Sequence, residues 1–159
     1  MTDIRLVYDN TKMHCDWVIT NGDLDTDADL ETAVLFSLFT DAPAPSGTVT
    51  PDGSNDLRGC WIDGLESFQM GSLLWTIEGA KKQGNSLLTH ARTICEQALQ
   101  WLVDDGIVGS ITVQTSWLNA TSLNIGIRLT KPDGTDTSFQ YAWAWKDTAR
   151  NALSTANPF

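Results

Sequence analysis

The sequence predicts an α+β fold: an antiparallel three-stranded meander covered by an amphipathic helix, with an N-terminal β-hairpin and a second helix. Three observations predict it. Residues 110 to 146 alternate apolar and polar side chains in three runs separated by turns. Residues 85 to 106 carry apolar residues at three- and four-residue spacing. A run of acids at residues 23 to 31 leads into a second apolar stripe.

The elements follow in chain order. IRLVYDN and DWVIT read as two short strands, and NGD after them supplies turn chemistry. In NGDLDTDADLETAVLFSLFTD, Asp23, Asp25 and Asp27 occupy the first, third and fifth places of a calcium loop. Ala28 then stands where the loop needs Gly, and Val34 where it needs a bidentate Glu. A helix start explains the acids better. Asp27, Asp29 and Glu31 would face the positive end of the helix dipole, with Asp27 or Asp29 as the cap. Thr26 and Asp29 have capping-box spacing. Leu30, Ala33, Val34 and Leu38 form the apolar stripe of a helix at about residues 28 to 40, widened by Phe36 and Phe39.

A Pro-, Gly-, Ser- and Asp-rich loop follows, DAPAPSGTVTPDGSNDLRG. Loops this long are usually functional or disordered. Its end carries Arg58, Trp61 and Asp63, and Arg and Trp are enriched in binding hot spots. These three are candidate protein-interface residues. The alternative is that Trp61 plugs the chain's own core. GSLLWTIEGAKK reads as a short helix.

NSLLTHARTICEQALQWLVDDG is the amphipathic helix, capped by Asn85 or Ser86 and closed by Gly106. Asp104 and Asp105 lie at its negative end, which is unfavourable unless an outside cation or donor meets them. They are interface candidates for a basic partner.

In the meander, Ile111, Val113 and Trp117 share one face, as do Leu123, Ile125, Ile127 and Leu129, and Phe139, Tyr141, Trp143 and Trp145. The other face holds Thr112, Gln114, Asn124, Arg128, Gln140 and Lys146. Such a sheet puts one face on a core. Its edge strands lack Pro and carry few charges, so residues 136 to 146 offer a docking edge, with Gln140 and Ala142 as candidate positions. The alternative is that the N-terminal strand covers one edge and the C-terminal segment the other. The boundaries within a single domain of residues 1–159 are a hairpin region 1–26, a helix 27–40, a loop 41–70, helices 71–106, the meander 107–146 and a terminal segment 147–159.

Composition narrows the function. Twenty acids against ten basic residues give a net charge of −10. That surface repels phosphate backbones and anionic lipid, so we expect neither nucleic acid nor membrane as partner. No apolar run is long enough to span a bilayer, and MTDIRLVYDN does not read as a signal peptide. Three scattered cysteines read as free thiols in a reducing cytoplasm at synthesis. No catalytic motif emerges. Cys95 sits on the apolar stripe of its helix and reads as a buried structural thiol. His14, Cys15, Cys60, His90 and Cys95 lack zinc spacing. Trp143 and Trp145 read as core rather than as a sugar platform. We expect no cofactor, no metal and no enzyme activity.

DLETAVLFSLFTD, DLRGCWIDG, GSLLW and ALQWLVDDGIV, in this order, carry a resemblance. Over about residues 15 to 145 the chain resembles the gene-46-type baseplate proteins of Mu-type contractile-tail phages, which are related to the gene-25-like wedge proteins. Where this chain has Cys60, that family commonly has Trp or Tyr. The resemblance implies a gene-25-like wedge fold and a structural role in the virion baseplate, after synthesis in the bacterial host cytoplasm. It implies a wedge around the spike hub that docks the first sheath ring. The partners would be other wedge subunits, the hub and the sheath protein, in multiple copies, six-fold by expectation. Two alternatives stand beside it: a cell-wall hydrolase of lysozyme type, a label some gene-25-like relatives carry, and a metal-dependent binding module.

Overall fold

A computed structural model describes residues 4–26, 29–64, 69–78 and 84–144, with the backbone alone at Ile62. The expectations for Asp27, Trp145, Lys146 and residues 147–159 concern positions outside these residues.

The chain opens with two small antiparallel ribbons. β1 (Leu6–Asp9) pairs with β2 (His14–Trp17), and β3 (Ile19–Thr20) pairs with β4 (Asp23–Leu24). The first turn is held by Asp9, whose carboxylate accepts the N–H groups of Thr11 and Lys12. These two bonds hold the Asp9 carboxyl below its usual range. The second turn is Asn21–Gly22, both with positive φ (54° and 85°), the geometry a two-residue hairpin demands.

Helix α1 (Asp29–Phe39) begins with Asp29 and Glu31 in its first turn, at the positive end of the dipole. Asp29 is the first helical residue rather than the cap. Asp25, one of the supposed calcium ligands, instead pairs with Arg5 at 3.3 Å. The buried face of α1 also departs from the expected stripe. Val34, Leu35 and Leu38 are buried, but Phe36 is exposed. Thr32 and Ser37 take buried places because each hydroxyl is bonded twice. Thr32 donates to the Ile4 carbonyl (3.2 Å) and accepts Leu6 N–H (3.3 Å). Ser37 donates to Ala33 (2.8 Å) and accepts the Trp101 indole N–H (2.9 Å). A buried hydroxyl is tolerated on those terms.

The expected helix in GSLLWTIEGAKK is only a 3-10 turn, Leu74–Ile77, within the described residues. Helix α2 (Asn85–Asp104) is the long one. Its cap is Gly84 rather than Asn85 or Ser86, with no side-chain bond to the helix. Asn85 is already helical, and its carbonyl accepts the Thr89 hydroxyl (3.0 Å). The other end closes as expected. Gly106 has φ 70°, its N–H reaches Val103 O, and Ile107 N–H reaches Leu102 O, each at 2.9 Å.

The meander is a three-stranded antiparallel sheet, β5 (Ser110–Asn119), β6 (Ser122–Thr130) and β7 (Asp136–Ala144), in that order. Leu123, Ile125, Ile127 and Leu129 of β6 are fully buried, as are Ala91, Cys95, Leu99 and Leu102 of α2. They share one core with Val34, Leu35 and Leu38 of α1. Burial pushes the Cys95 thiol up to about 12, so it behaves as a small apolar side chain. Trp143 is buried in the same core. Tyr8 ties the first ribbon to both other layers. It stacks on Phe39 of α1 (4.8 Å between centroids) and meets Tyr141 of β7 edge-on (5.4 Å).

One glycine is indispensable to this arrangement. Gly71 has φ 101°, and a Cβ there would lie 2.3 Å from the Thr40 carbonyl oxygen. The contact exists because Ser72 N–H donates to Thr40 O (2.9 Å) while Ala42 N–H donates to Ser72 O (3.0 Å). We expect Gly71→Ala to cost at least ~2 kcal/mol, the sum of positive-φ strain and backbone displacement. Urea denaturation measures it, and an unchanged midpoint would refute the close approach.

Candidate functional site

The interface candidates in the loop separate into inward and outward groups. Arg58 points inward, with a side chain only 18 % exposed. Its backbone sits at φ 53°, held by its N–H donating to Asp56 (2.9 Å). The guanidinium donates to Asp41 (2.8 Å), faces Glu78 (3.6 Å) and lies over the Trp75 ring at 4.4 Å. Trp75 is buried and its indole N–H donates to Ala42 O (2.8 Å). Arg58 is therefore an internal brace, because its two terminal nitrogens meet Asp41 and Glu78 and one face of its planar group lies over Trp75. Asp63 is also internal. One carboxylate oxygen accepts Cys60 N–H (2.6 Å) and the other accepts Met70 N–H (3.1 Å).

Trp61 is the outward member. It opens the 3-10 turn Trp61–Gly64 and is 78 % exposed. It does not plug the core. The place imagined for it is taken by Trp75, which sequence reasoning left among the residues of a short helix. The signal for Trp75 was its position in an apolar run, LLWTI.

Asp104 and Asp105 are both exposed at the end of α2. Asp104 accepts a bond from Gln100 (3.0 Å), which supplies one donor from within the helix. Trp101 and Ile107 beside them are part-exposed, so this corner joins acid to apolar surface.

The sheet edge at β7 differs from expectation. Lys131 N–H donates to Thr135 O at the β6–β7 turn. Odd residues of β7 therefore bond β6, and even residues turn their N–H and C=O groups outward. Two of those outward positions are already covered. The Asn10 carboxamide donates to Gln140 O (3.1 Å) and accepts Ala142 N–H (2.7 Å). Tyr8 donates its hydroxyl to Ala142 O (2.7 Å). The first ribbon thus covers this edge through side chains, without joining the sheet as a strand. Ala142 is not an open docking position. Gln140 N–H and Ser138 have no such partner among the described residues. On the opposite side α2 lies along β5, where the Thr115 hydroxyl donates to Leu88 O (2.8 Å).

A cleft of about 510 Å³ lies between the first ribbon and the Leu74–Ile77 turn, lined by His14, Cys15, Asp41 and Trp143 among others. His14 and Cys15 are consecutive in β2 and so point to opposite faces of the ribbon. Burial raises the Cys15 thiol above its ordinary pKa, which keeps it protonated and weakly nucleophilic. Among the described residues no three His, Cys, Asp or Glu side chains gather as a metal site.

The model of the family described as phage protein GP46 matches residues 30–136. The chain is 36 % identical over 146 residues to the Baseplate protein gp46 of Escherichia phage Mu, covering 91 % of this chain and 98 % of that one. It is 35 % identical, with the same coverage of both chains, to the Mu-like prophage FluMu protein gp46 of Haemophilus influenzae.

Arg58 and Trp61 have opposite expected behaviour. Arg58→Met should lower stability by at least about 1 kcal/mol, because it removes the ion pairs to Asp41 and Glu78 and the charge over Trp75. Trp61→Ala should change stability by less than about 0.5 kcal/mol, as exposed side chains do. Chemical denaturation of the two variants side by side checks both. A large loss in Trp61→Ala would return that ring to the core.

Proposed function

The chain belongs to the phage protein GP46 family, and from that membership we propose that it is a structural subunit of a contractile phage-type tail baseplate. The observation that carries this reading is the match along 98 % of the length of a protein named as a baseplate component. Its place would be the virion tail baseplate, reached after synthesis in the host cytoplasm. Among the described residues no helix is long and apolar enough to cross a membrane, in keeping with that place.

The finer reading puts the chain in the wedge around the spike hub, in multiple copies with six-fold symmetry, as a docking point for the first sheath ring. Its role would be assembly rather than catalysis. Two features support this. Trp61 offers a large aromatic side chain on a loop whose base is braced by Arg58, so little entropy is lost on binding. Asp104 and Asp105, beside Trp101 and Ile107, fit a neighbour with basic residues around an apolar spot.

Sheath docking would use the open start of β7. Asp136, Ser138 and Gln140 N–H form a short outward run that ends where Asn10 begins. An extended arm of a sheath subunit would add there by main-chain bonds. The Asn10 clamp limits its length and fixes where it stops.

Gln140→Pro tests this edge, since Pro removes the outward N–H while keeping the carbonyl that Asn10 uses. We expect that variant to fold, enter the baseplate and recruit at least tenfold less sheath. Ala142→Pro serves as contrast. It deletes the bond to Asn10 and should lower stability by about 1 kcal/mol. Particle counts by electron microscopy and thermal melts give the two readouts. Normal sheath on Gln140→Pro would rule out this edge.

A further inference from the structure

Among the described residues, the N-terminal ribbons hold an apolar face that is left largely exposed. Cross-strand partners share a face of a ribbon. Leu6 pairs with Trp17, and Ile19 pairs with Leu24. Ile4 bridges to Thr26, two residues beyond Leu24, and so falls on the same side. Leu6 packs against the core. Beyond it the same face runs into solvent: Trp17 is 65 % exposed and Ile19 69 %, with Ile4 and Leu24 part-exposed. A strand needs no such residues at a solvated end, and a contiguous apolar patch of this kind marks a binding surface.

The charges around it select the partner. Arg5 is paired with Asp25 and Lys12 with Asp9. Asp16 and Asp23 stand next in sequence to Trp17 and Leu24, exposed and without an ion pair among the described residues. Asp29 and Glu31 follow at the start of α1. By strand alternation Asp16 and Asp23 project from the other face of the ribbons, one residue from the patch, so they act on a partner as a surrounding negative field rather than by direct contact with its apolar spot. A second copy of this chain would bring the same acids against them, on a molecule of net charge −10. Self-association is disfavoured.

We propose that the face formed by Ile4, Trp17, Ile19 and Leu24 is a second interface, for a protein neighbour that presents an apolar spot ringed by Lys or Arg. This rests on the assembly role above but involves neither the Trp61 loop nor the β7 edge. Trp17 would be its anchor, because a large ring at the centre of a patch dominates such contacts. The acids would raise the rate of encounter.

The test uses tail particles assembled in cells that supply the remaining tail proteins and one version of this chain. Incorporation is read by immunoblot of purified particles. Trp17→Ser with Ile19→Ser should enter at least tenfold less often than wild type. Asp16→Lys with Asp23→Lys, which leaves the apolar face intact, should fall at least threefold. Val49→Ser, at an exposed site in the distant loop, should enter normally. Each purified variant is first shown to melt as wild type does. Should the serine pair fail to fold, the lysine pair alone decides. Normal incorporation of the ribbon variants beside wild type overturns this interface and leaves the baseplate role standing. Absence of wild type from the particles overturns both. Sedimentation of the isolated chain should show a monomer, and a dimer abolished by Trp17→Ser would overturn the choice of partner.

Discussion

The guanidinium of Arg58 is the interaction on which the loop half of the molecule depends. One planar cation meets Asp41 at the exit of α1, Glu78 after the Leu74–Ile77 turn, and the face of Trp75. Removing it takes away at once both ion pairs and the cation over a buried indole, contacts that join three segments of the chain. The long loop from Asp41 to Cys60 therefore has a fixed base despite having no regular structure. Its interior is closed by small local devices, such as Asp52 accepting from Ser54, whose bonds hold that carboxyl down at about 2. Trp61 stands on this base. Its ring is exposed on a backbone that is already ordered.

The sheet half depends on a different kind of joint. The aromatic contacts of Tyr8 with Phe39 and Tyr141 fasten ribbon, helix and sheet together. The hydroxyl of the same Tyr8, with the carboxamide of Asn10, then satisfies the end of the β7 edge at Gln140 O and Ala142. A carboxamide carries the donor and acceptor of a peptide group. Asn10 can thus occupy an edge position that would otherwise pair with another chain. Along β7 the covered positions, Gln140 O and Ala142, lie next to uncovered ones, Ser138 and Gln140 N–H, among the described residues.

Several features were legible in the residues themselves. Alternation in β5 to β7 and the 3.6-residue period of α2 are local records of burial, and both elements stand where the pattern put them. Gly106 and Asn21–Gly22 were readable because only certain residues tolerate positive φ. Phe36 is exposed against expectation, and the two buried hydroxyls of α1 carry no sequence signal, since hydrophobicity says nothing about a bonded polar group. Of the candidate site residues, Trp61, Asp104 and Asp105 face solvent, whereas Arg58 and Asp63 turn inward.

The sequence by itself determined the class of fold, the order of its elements, the acidic surface and the family, because each is written in spacing, composition or motif order. Only the tertiary structure decided which polar groups are spent internally. Arg58 meets Glu78 across 20 residues, and Asn10 meets Ala142 across 132. Such pairings depend on how packed layers bring distant backbone together, and no local pattern encodes that distance. The same physics decided that Trp75 is buried and Trp61 exposed, since Trp75 has the Ala42 carbonyl for its indole N–H and Arg58 over its ring.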